Sequence, residues 1–357
     1  MRLALVGDGE SPHLLKWARA LAPRVELWAA SSRGFLPGFD GLLPAQRRLA
    51  LQTRPSAGGG NVGLLRQLPR LASWLRRVRP DWIHAHYLSS HGTLAWLATR
   101  LLGAPGRLVG SAWGSDILVT PQRAAHWRWV TTQVLRACVL TTSDSQHMAE
   151  RMRALGAREV MVFPFGLEQL PRMAAPQERE PRLFFANRGL EPVYAPHRVL
   201  ALFAALAAEL PDARLVVAND GSLRDALQRQ AVALDLADRI QFVGRLDEAR
   251  QNALYRRAQW YVSLPASDSV AVSVLEAMAH GCIPLLSDLP ANRELVRDGD
   301  NGLLLAADAQ PDAAALSALS ARAEAIAAAN RDWVASHAMF APAVSAFLDR
   351  LQALAMR

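Results

Sequence analysis

Two acidic side chains, Asp268 and Glu276, stand eight residues apart, just after a short apolar stretch. That spacing is a little over two helical turns, so both acids face one side of a helix that opens near Val270. Carboxylates placed in this way can accept hydrogen bonds from two sugars of one extended ligand. The alternative is that Asp268 or Ser269 caps the helix and that Glu276 lies on the surface. Because Glu276 is flanked by leucine, alanine and methionine, an unpaired carboxylate there is unfavourable, and we favour the ligand-binding interpretation.

The predicted start of the same helix offers backbone N–H groups around Val270, Ala271 and Val272. The first amides of a helix lack intrahelical partners, and the helix dipole adds positive potential there. We therefore expect this turn to suit a phosphate or diphosphate group.

Near the N-terminus, Gly7 and Gly9 form a Gly-x-Gly turn between a predicted strand and a predicted helix. Read alone, this turn fits a phosphate-binding loop and a plain tight turn equally well. Further on, His84 and His86 share one face of a strand, as in some zinc sites. No third ligand follows at a convincing spacing, so we predict no metal site and instead expect His86 at the end of its strand, near a cleft.

The elements that must position these groups alternate between strand and helix along the whole chain, which is typical of parallel sheets. A charged, proline-rich and aperiodic segment at 171–181 predicts a linker between two halves. We therefore expect an α/β fold with two Rossmann-like doubly wound domains, 1–172 and 182–335, that face a central cleft. Residues 336–357 form a C-terminal helix that we expect to pack on the N-terminal domain. The segment 31–61 is expected to be a long, mobile loop.

Size and composition limit the function classes. The 357 residues exceed one ordinary core, and no uncharged apolar run is long enough to span a membrane. The N-terminus enters a strand directly, without the features of a signal peptide, and Cys138 and Cys282 both lie in apolar surroundings. Buried thiols and a cytoplasmic location are therefore expected.

The net charge is +8, and Lys16 is the only lysine. Residues 47–79 carry eight arginines and no acid, with apolar residues at helical spacing around 64–78. A basic amphipathic helix can lie on an anionic bilayer or bind an anionic lipid-linked acceptor, but an ordinary helix with a solvated basic face fits as well. No aromatic-and-basic strand pattern or zinc spacing supports a nucleic-acid partner.

Several runs in the second half resemble the retaining GT-B glycosyltransferase family 4 (glycosyl transferases, group 1). The segment 267–281, SDSVAVSVLEAMAHG, is similar to the Glu-x7-Glu motif of that family, with Asp in place of the first Glu. Its neighbours 241–246 (QFVGRL), 258–263 (AQWYVS), 281–288 (GCIPLLSD) and 292–304 (NRELVRDGDNGLL) follow in family order. One such run alone would be weak, but their succession is specific.

The resemblance implies a GT-B fold and transfer of a hexose-type sugar from a nucleotide diphosphate sugar. On that basis Glu276 is expected to bind the ribose, Asp268 the donor sugar and Arg188 the diphosphate. The backbone near Val243 is expected to touch the base, and the turn with Gly7 and Gly9 to face the diphosphate. On the acceptor side the resemblance points to the following residues: His13, His86, Trp113 and, as the acid that orients or deprotonates the acceptor hydroxyl, Asp116. A helix cap is an equally good interpretation of Asp116.

The chain departs from the family pattern at the diphosphate clamp. The lysine that usually follows Arg188 is absent, and residues 191–194 (EPVY) stand in its place. We expect His197 or Arg245 to supply the second cation, or diphosphate binding to be weaker. The absence of a second-domain lysine also excludes phosphorylases of this fold, which need one to carry their cofactor.

The resemblance provides no carboxylate nucleophile behind the anomeric carbon. We therefore expect metal-independent front-face transfer without a cofactor, and we expect the acid pair Asp298 and Asp300 to form a turn. A lipopolysaccharide, envelope polysaccharide or glycolipid acceptor at the inner face of the cell membrane fits the basic segment. The alternative is a non-catalytic GT-B scaffold that binds nucleotide sugars.

Overall fold

The computed structural model describes residues 1–53, 62–307, 309 and 313–356. The chain divides into two compact units, Met1–Phe163 together with the C-terminal segment from Ala341, and Pro164–Phe340.

The first unit alternates strands and helices. Its strands are β1 (Arg2–Gly7), β2 (Glu26–Ser31), β3 (Arg48–Ala50), β4 (Trp82–His86), β5 (Arg107–Ser111), β6 (Leu140–Ser143) and β7 (Val160–Val162). Its helices up to the end of the first segment are α1 (Pro12–Leu21), α2 (Val62–Leu65), α3 (Leu68–Val78), α4 (Thr93–Leu102), α5 (Ser115–Leu118), α6 (Thr120–Arg123), α7 (Ala125–Ala137) and α8 (Gln146–Ala154). The strands of the described residues form one parallel sheet in the order β3-β2-β1-β4-β5-β6-β7.

The second unit repeats this plan. Its strands are β8 (Glu180–Ala186), β9 (Arg214–Ala218), β10 (Ile240–Gly244), β11 (Ala258–Ser263), β12 (Ile283–Ser287) and β13 (Leu303–Leu305). Its helices are α9 (Pro196–Glu209), α10 (Arg224–Ala233), α11 (Glu248–Arg257), α12 (Val272–His280), α13 (Pro290–Arg293), α14 (Ala313–Ser320) and α15 (Ala323–His337). The parallel order β10-β9-β8-β11-β12-β13 is again that of a doubly wound fold, which confirms the predicted fold class.

Local sequence explains most of these elements. The central strands are buried on both faces, as β1 is from Leu3 to Gly7, so they read as continuous apolar runs. Helix α1 begins where Ser11 accepts a hydrogen bond from the His13 amide and Pro12 fixes the first turn. The free thiols of Cys138 and Cys282 are buried, as predicted, and burial raises the pKa of Cys138 to about 12 and that of Cys282 to about 11.

The structure corrects three predicted elements. The segment 31–61 contains the short strand β3, which pairs with β2, so it is not one long loop; its residues 54–61 lie outside the described part. The predicted basic helix is divided into α2 and α3. Helix α12 begins at Val272 rather than at Val270. No helix of the described residues is long and apolar enough to cross a membrane.

The last helix, α16 (Phe340–Ala355), packs on the first unit from Ala341 onward. Phe347 is fully buried, and its ring centroid lies 5.3 Å from that of Trp17 and 4.9 Å from that of His84. Arg350 makes a two-pronged contact with the carboxylate of Glu159, with its Nη2 at 2.6 Å from Oε2. The C-terminal helix therefore completes the core around Trp17.

Removing this contact should destabilise the first unit. We expect Phe347→Ala to lower the free energy of unfolding by about 3–5 kcal/mol, because a buried aromatic side chain leaves a cavity. Leu101→Ala, at a side chain that is 65% exposed, serves as the control and should change it by less than about 0.5 kcal/mol. Urea denaturation followed by tryptophan fluorescence measures both, since most of the ten tryptophans belong to the first unit. Equal stabilities of the two variants would contradict the assigned role of α16.

Candidate functional site

The centre of the candidate site lies where the strand order of the second unit reverses. Strands β8 and β11 are parallel neighbours, with Trp260 opposite Phe184 and Tyr261 opposite Phe185. Their carboxyl ends therefore meet at one edge of the sheet, which is where ligands bind in folds of this kind. Arg188 follows β8 and Asp268 follows β11, so the topology alone brings these two distant residues together.

Arg188 and Asp268 form a largely buried ion pair. Nη2 of Arg188 lies 2.6 Å from Oδ2 of Asp268, and the two side chains are 18% and 17% exposed. Nη1 of Arg188 donates to Oγ of Ser273 at 3.3 Å, whereas its buried Nε has no hydrogen-bond partner among the described residues. Burial raises the pKa of Asp268, although the guanidinium of Arg188 acts against that shift. The arginine thus keeps an unused donor beside a carboxylate.

Glu276 lies one turn into α12 and is half-buried. Its Oε2 accepts hydrogen bonds from the hydroxyl of Tyr255 at 3.0 Å and from Nε2 of Gln251 at 3.2 Å. The carboxylate is therefore held by two neutral donors from α11, and a hydroxyl of a ligand would share it with them.

The predicted cap of α12 is wrong. The cap residue is Ala271, which makes no side-chain capping bond. Asp268 stands before the helix and binds Arg188 instead, while its Oδ1 accepts from the amide of Ser269. Val270 and Ala271 are buried, and Val272 opens the helix, so the predicted phosphate-binding amides belong to the turn between Asp268 and α12.

Neutral polar groups connect the two charged ends of the site. Nδ2 of Asn187 donates to the hydroxyl of Tyr255 at 2.7 Å, and the hydroxyl of Tyr261 donates to Oδ1 of Asn187 at 2.7 Å. The hydroxyls of Tyr261 and Ser273 lie 2.9 Å apart. Burial raises the pKa of Tyr255 and of Tyr261, so both phenols stay protonated. The network is continuous from Arg188 to Glu276.

Sequence reasoning did not assign these connecting residues. The chain has four tyrosines, and Tyr194, Tyr255 and Tyr261 all lie at this site. That concentration of a rare residue type in one half is the signal that was available. Asn187, the first residue after β8, was a second one.

The remaining predicted donor residues lie farther along the same sheet. Val243 is half-buried near the end of β10, and Arg245 is exposed just after it. Strand β9 separates β10 from β8, so these residues share the carboxyl edge with Arg188 two strands away. His197, in the first turn of α9, is exposed. The ring of Tyr194 lies beside Arg188, with its centroid 4.4 Å from the guanidinium carbon.

In the first unit, the predicted acceptor-side residues lie together. Nε1 of Trp113 donates to Nδ1 of His86 at 3.3 Å, and the rings of His13 and Trp113 are 4.8 Å apart. Nε2 of His86 is buried without a hydrogen-bond partner among the described residues. No group of three possible metal ligands occurs in the described part of the chain. Nε2 of His84 is 2.7 Å from Oγ of Ser111, which gives that histidine a structural partner.

Asp116 is fully buried within α5. The N-cap residue of α5 is Gly114, so the interpretation of Asp116 as the helix cap is wrong. Its two carboxylate oxygens accept from the amides of Leu88 at 2.7 Å and of Trp113 at 2.9 Å. Burial raises its pKa to about 6. Both oxygens of this fully buried carboxylate are therefore already hydrogen-bonded to the backbone.

The glycines of the first turn have packing reasons. A Cβ at Gly9 would lie 2.5 Å from the carbonyl oxygen of Gly34, and the Gly9 amide donates to Oγ of Ser31 at 2.8 Å. A Cβ at Gly7 would lie 2.6 Å from Cδ1 of Leu14. These contacts explain the Gly-x-Gly pattern without a ligand, and phosphate binding by this turn stays a prediction.

With this geometry established, known proteins identify the family. Residues 168–331 match the family described as glycosyl transferases group 1, and residues 2–144 match glycosyl transferase 4-like. The phosphatidyl-myo-inositol mannosyltransferase of Mycobacterium tuberculosis (strain ATCC 25618 / H37Rv) is 30% identical over 341 residues, which cover 87% of this chain and 82% of that protein. The chain belongs to the group 1 glycosyltransferases of the GT-B, family 4 type.

Two further proteins are similar to this chain, one in sequence and one in fold. The phosphatidyl-myo-inositol mannosyltransferase of Mycolicibacterium smegmatis is 33% identical over 164 residues, an alignment that covers 44% of this chain and 42% of that protein. A crystal structure of Anabaena HepE in complex with UDP-glucose has a TM-score of 0.79 at 16% identity and covers 99% of this chain and 100% of that chain. At that identity the likeness concerns the fold.

The buried histidines of the first unit predict acid sensitivity. Burial lowers the pKa of His84 to about 3, that of His91 to about 4 and that of His86 well below 6.5. Below pH 6.5 the unfolded chain binds protons that the folded chain does not, so stability falls as the pH decreases. We expect the three histidines to lower the free energy of unfolding by about 3 kcal/mol between pH 6.5 and 5.5. The raised pKa of Asp116 acts in the opposite sense and offsets less than about 1 kcal/mol of that decrease.

Denaturant unfolding at the two pH values tests this expectation. His91→Gln should reduce the pH-dependent loss by about 1 kcal/mol, because one of the three buried imidazoles is removed. His197→Gln changes an exposed histidine in the second unit and is the matched control. Equal pH dependence in the wild type and in His91→Gln would show that His91 takes up its proton in the folded chain.

Proposed function

We propose that this glycosyltransferase is a retaining hexosyltransferase that uses a nucleotide diphosphate sugar as donor. The observation that carries the proposal is the buried pair of Arg188 and Asp268 at the switch point, connected through neutral groups to Glu276. The arrangement offers a cation for a diphosphate, a carboxylate for sugar hydroxyls and a second carboxylate for the ribose diol, all in one row.

In the proposed complex, Arg188 and the amides around Val270–Val272 bind the diphosphate. Asp268 accepts hydrogen bonds from the hexose and Glu276 from the ribose, while the backbone near Val243 contacts the base. The exposed Arg245 is a further cation at the same edge of the sheet. The order of these groups follows the order of the parts of a nucleotide sugar.

The proposed reaction breaks the bond between the anomeric carbon and the diphosphate oxygen and forms the bond to the acceptor oxygen on the same face. The proton of the acceptor hydroxyl passes to the leaving diphosphate. Asp268 is not used as a nucleophile, because in the proposed complex it binds the hydroxyls of the hexose ring rather than standing behind the anomeric carbon. The guanidinium and the helix-terminal amides stabilise the charge of the leaving group, and so the proposal includes no metal ion and no cofactor.

On the acceptor side we propose that His86, with Trp113 and His13, contacts the acceptor, and that Asp116 positions the segments that carry Leu88 and Trp113. The donor-facing role of Gly7 and Gly9 is part of the same proposal. The unused Nε2 of His86 gives this group a free hydrogen-bonding position for a hydroxyl.

We further propose that the acceptor is an anionic or lipid-linked saccharide used in envelope polysaccharide, lipopolysaccharide or glycolipid assembly at the inner face of the cell membrane. Two relatives are named for a phosphatidyl-myo-inositol acceptor. Between residues 41 and 143 the only acids are Asp81 and the buried Asp116. The same region exposes the large apolar side chains of Leu65, Leu101 and Trp129. Basic and apolar groups together suit an anionic lipid surface.

The enzymatic proposal is tested at Glu276. The wild type should gain thermal stability with UDP or GDP sugars and convert an α-linked donor into an α-linked product, observed by NMR of the anomeric proton. Glu276→Gln should lower kcat/KM for the donor by about 10- to 100-fold, because a hydrogen bond to a charged group contributes about 1.5–3 kcal/mol. Glu324→Gln, an exposed acid of α15, is the control.

The outcomes separate the two candidate functions. A thermal shift with a nucleotide sugar but no transfer or hydrolysis would favour the non-catalytic scaffold. A β-linked product from an α-linked donor would overturn retention while leaving the family intact.

The membrane proposal is tested by charge reversal. Arg66→Glu, Arg70→Glu and Arg77→Glu together should weaken binding to vesicles that contain phosphatidylglycerol by at least about 100-fold, since each basic residue near such a surface contributes about 1 kcal/mol. The control variant combines Arg182→Glu, Arg214→Glu and Arg229→Glu, which make the same change in charge at exposed positions of the second unit. Equal vesicle binding by the two variants would contradict the proposed surface.

A further inference from the structure

Tyr194 provides a contact at Arg188 that a second cation could not provide. The segment 191–194 stands where the family pattern has a lysine, and the only lysine of the chain is Lys16. In the structure, the guanidinium carbon of Arg188 lies 4.4 Å from the centroid of the Tyr194 ring. An aromatic face therefore occupies a position beside the arginine where the family leads one to expect a positive charge.

We propose that Tyr194 is a positioning residue that holds Arg188 in the orientation needed to bind a diphosphate. The inference rests on the proposed donor site and deepens it. The ring of Tyr194 takes the place of the missing lysine beside Arg188, and it acts by fixing the arginine rather than by adding charge.

The backbone around the ring is built for this contact. A Cβ at Gly189 would approach Cε2 of Tyr194 to 3.2 Å, so the glycine leaves room for the ring. The carboxylate of Glu191 accepts from the amide of Ser222 at 3.0 Å and from its hydroxyl at 2.6 Å, and the Tyr194 amide donates to the Glu191 carbonyl at 3.0 Å. Ala195 then takes a left-handed conformation with φ of +43°, which α9 follows. The turn that carries the ring is thus fixed at both ends.

The contacts of Arg188 use N–H groups on Nη1 and Nη2 and leave the N–H of Nε unused. Asp268 and Ser273 take one N–H group each from Nη2 and Nη1, and the ring lies against the guanidinium carbon without accepting a conventional hydrogen bond. The buried Nε has no partner among the described residues. A cation–π contact of a desolvated guanidinium stabilises its orientation by about 1–2 kcal/mol and leaves Nε available for a phosphate oxygen. A lysine ammonium in the place of the ring would repel Arg188.

The test compares diphosphate binding with nucleoside binding in the full chain. UDP and GDP affinities are measured by isothermal titration, and uridine and guanosine affinities by competition, for the wild type, Tyr194→Phe and Tyr194→Leu. Val193→Ala in the same turn, at a side chain that is 37% exposed, is the matched control. Thermal melting verifies that each variant is folded.

We expect Tyr194→Leu to weaken binding of the preferred nucleoside diphosphate by about tenfold and to leave nucleoside affinity unchanged, because the loss falls on the clamp alone. Tyr194→Phe keeps the aromatic face, so its affinity for the nucleoside diphosphate should stay within about twofold of that of the wild type. The affinity of Val193→Ala should stay within the same range. Unchanged diphosphate affinity in Tyr194→Leu would overturn the inference, as would a parallel loss of nucleoside affinity or an equal loss in Tyr194→Phe. A wild type that binds neither nucleoside diphosphate would instead overturn the proposed function, and this inference with it.

Discussion

The candidate donor site depends on one ion pair that is removed from water. Arg188 and Asp268 are each more than four-fifths buried, and a single buried charge without its partner costs several kcal/mol. Each side chain therefore fixes the position of the other, and the parallel pairing of β8 with β11 fixes both. A diphosphate sugar that enters this site has to offer oxygens to the arginine and hydroxyls to the carboxylate in exchange for the contact that it disturbs. In the proposed complex, the pair therefore favours a ligand that carries an anion and a polyol next to each other.

Neutral hydrogen-bonding groups behind the pair connect it to Glu276. Arg188 and Tyr261 both donate to Oγ of Ser273, and the hydroxyl of Tyr261 is also within hydrogen-bonding distance of Oδ1 of Asn187. Asn187 donates to Tyr255, and Tyr255 donates to Glu276. This network of hydrogen bonds has a cation at one end and an anion at the other. Such an alignment is favourable in a low-dielectric interior, where successive hydrogen bonds polarise one another. It also fixes the separation between Arg188 and Glu276.

The sequence predicted the frame of this site better than its details. The alternation of strands and helices and the two doubly wound halves could be predicted, because buried parallel strands read as apolar runs. Asp268 and Glu276 could be selected because their spacing is local. The start of α12 was misplaced by two residues because Asp268, an apparent cap, is bound by an arginine eighty positions earlier in the chain. The connecting tyrosines could not be assigned, since Tyr255 and Tyr261 come from different elements and only the tertiary fold brings them to Asn187.

Asp116 is a second case in which the sequence alone does not determine what a side chain binds. Its sequence surroundings resemble an active-site loop, but whether a carboxylate serves a substrate or the backbone depends on which amides are within reach, and here two amides take both oxygens. Burial keeps the imidazoles of His84, His86 and His91 in the first unit neutral, so these groups offer hydrogen bonds rather than charge. The second unit instead has a guanidinium that cannot lose its charge. Neutral imidazoles suit a hydroxyl, and a permanent cation suits a phosphate, so the difference between these histidines and Arg188 supports the proposal that the first unit binds the acceptor and the second unit binds the donor.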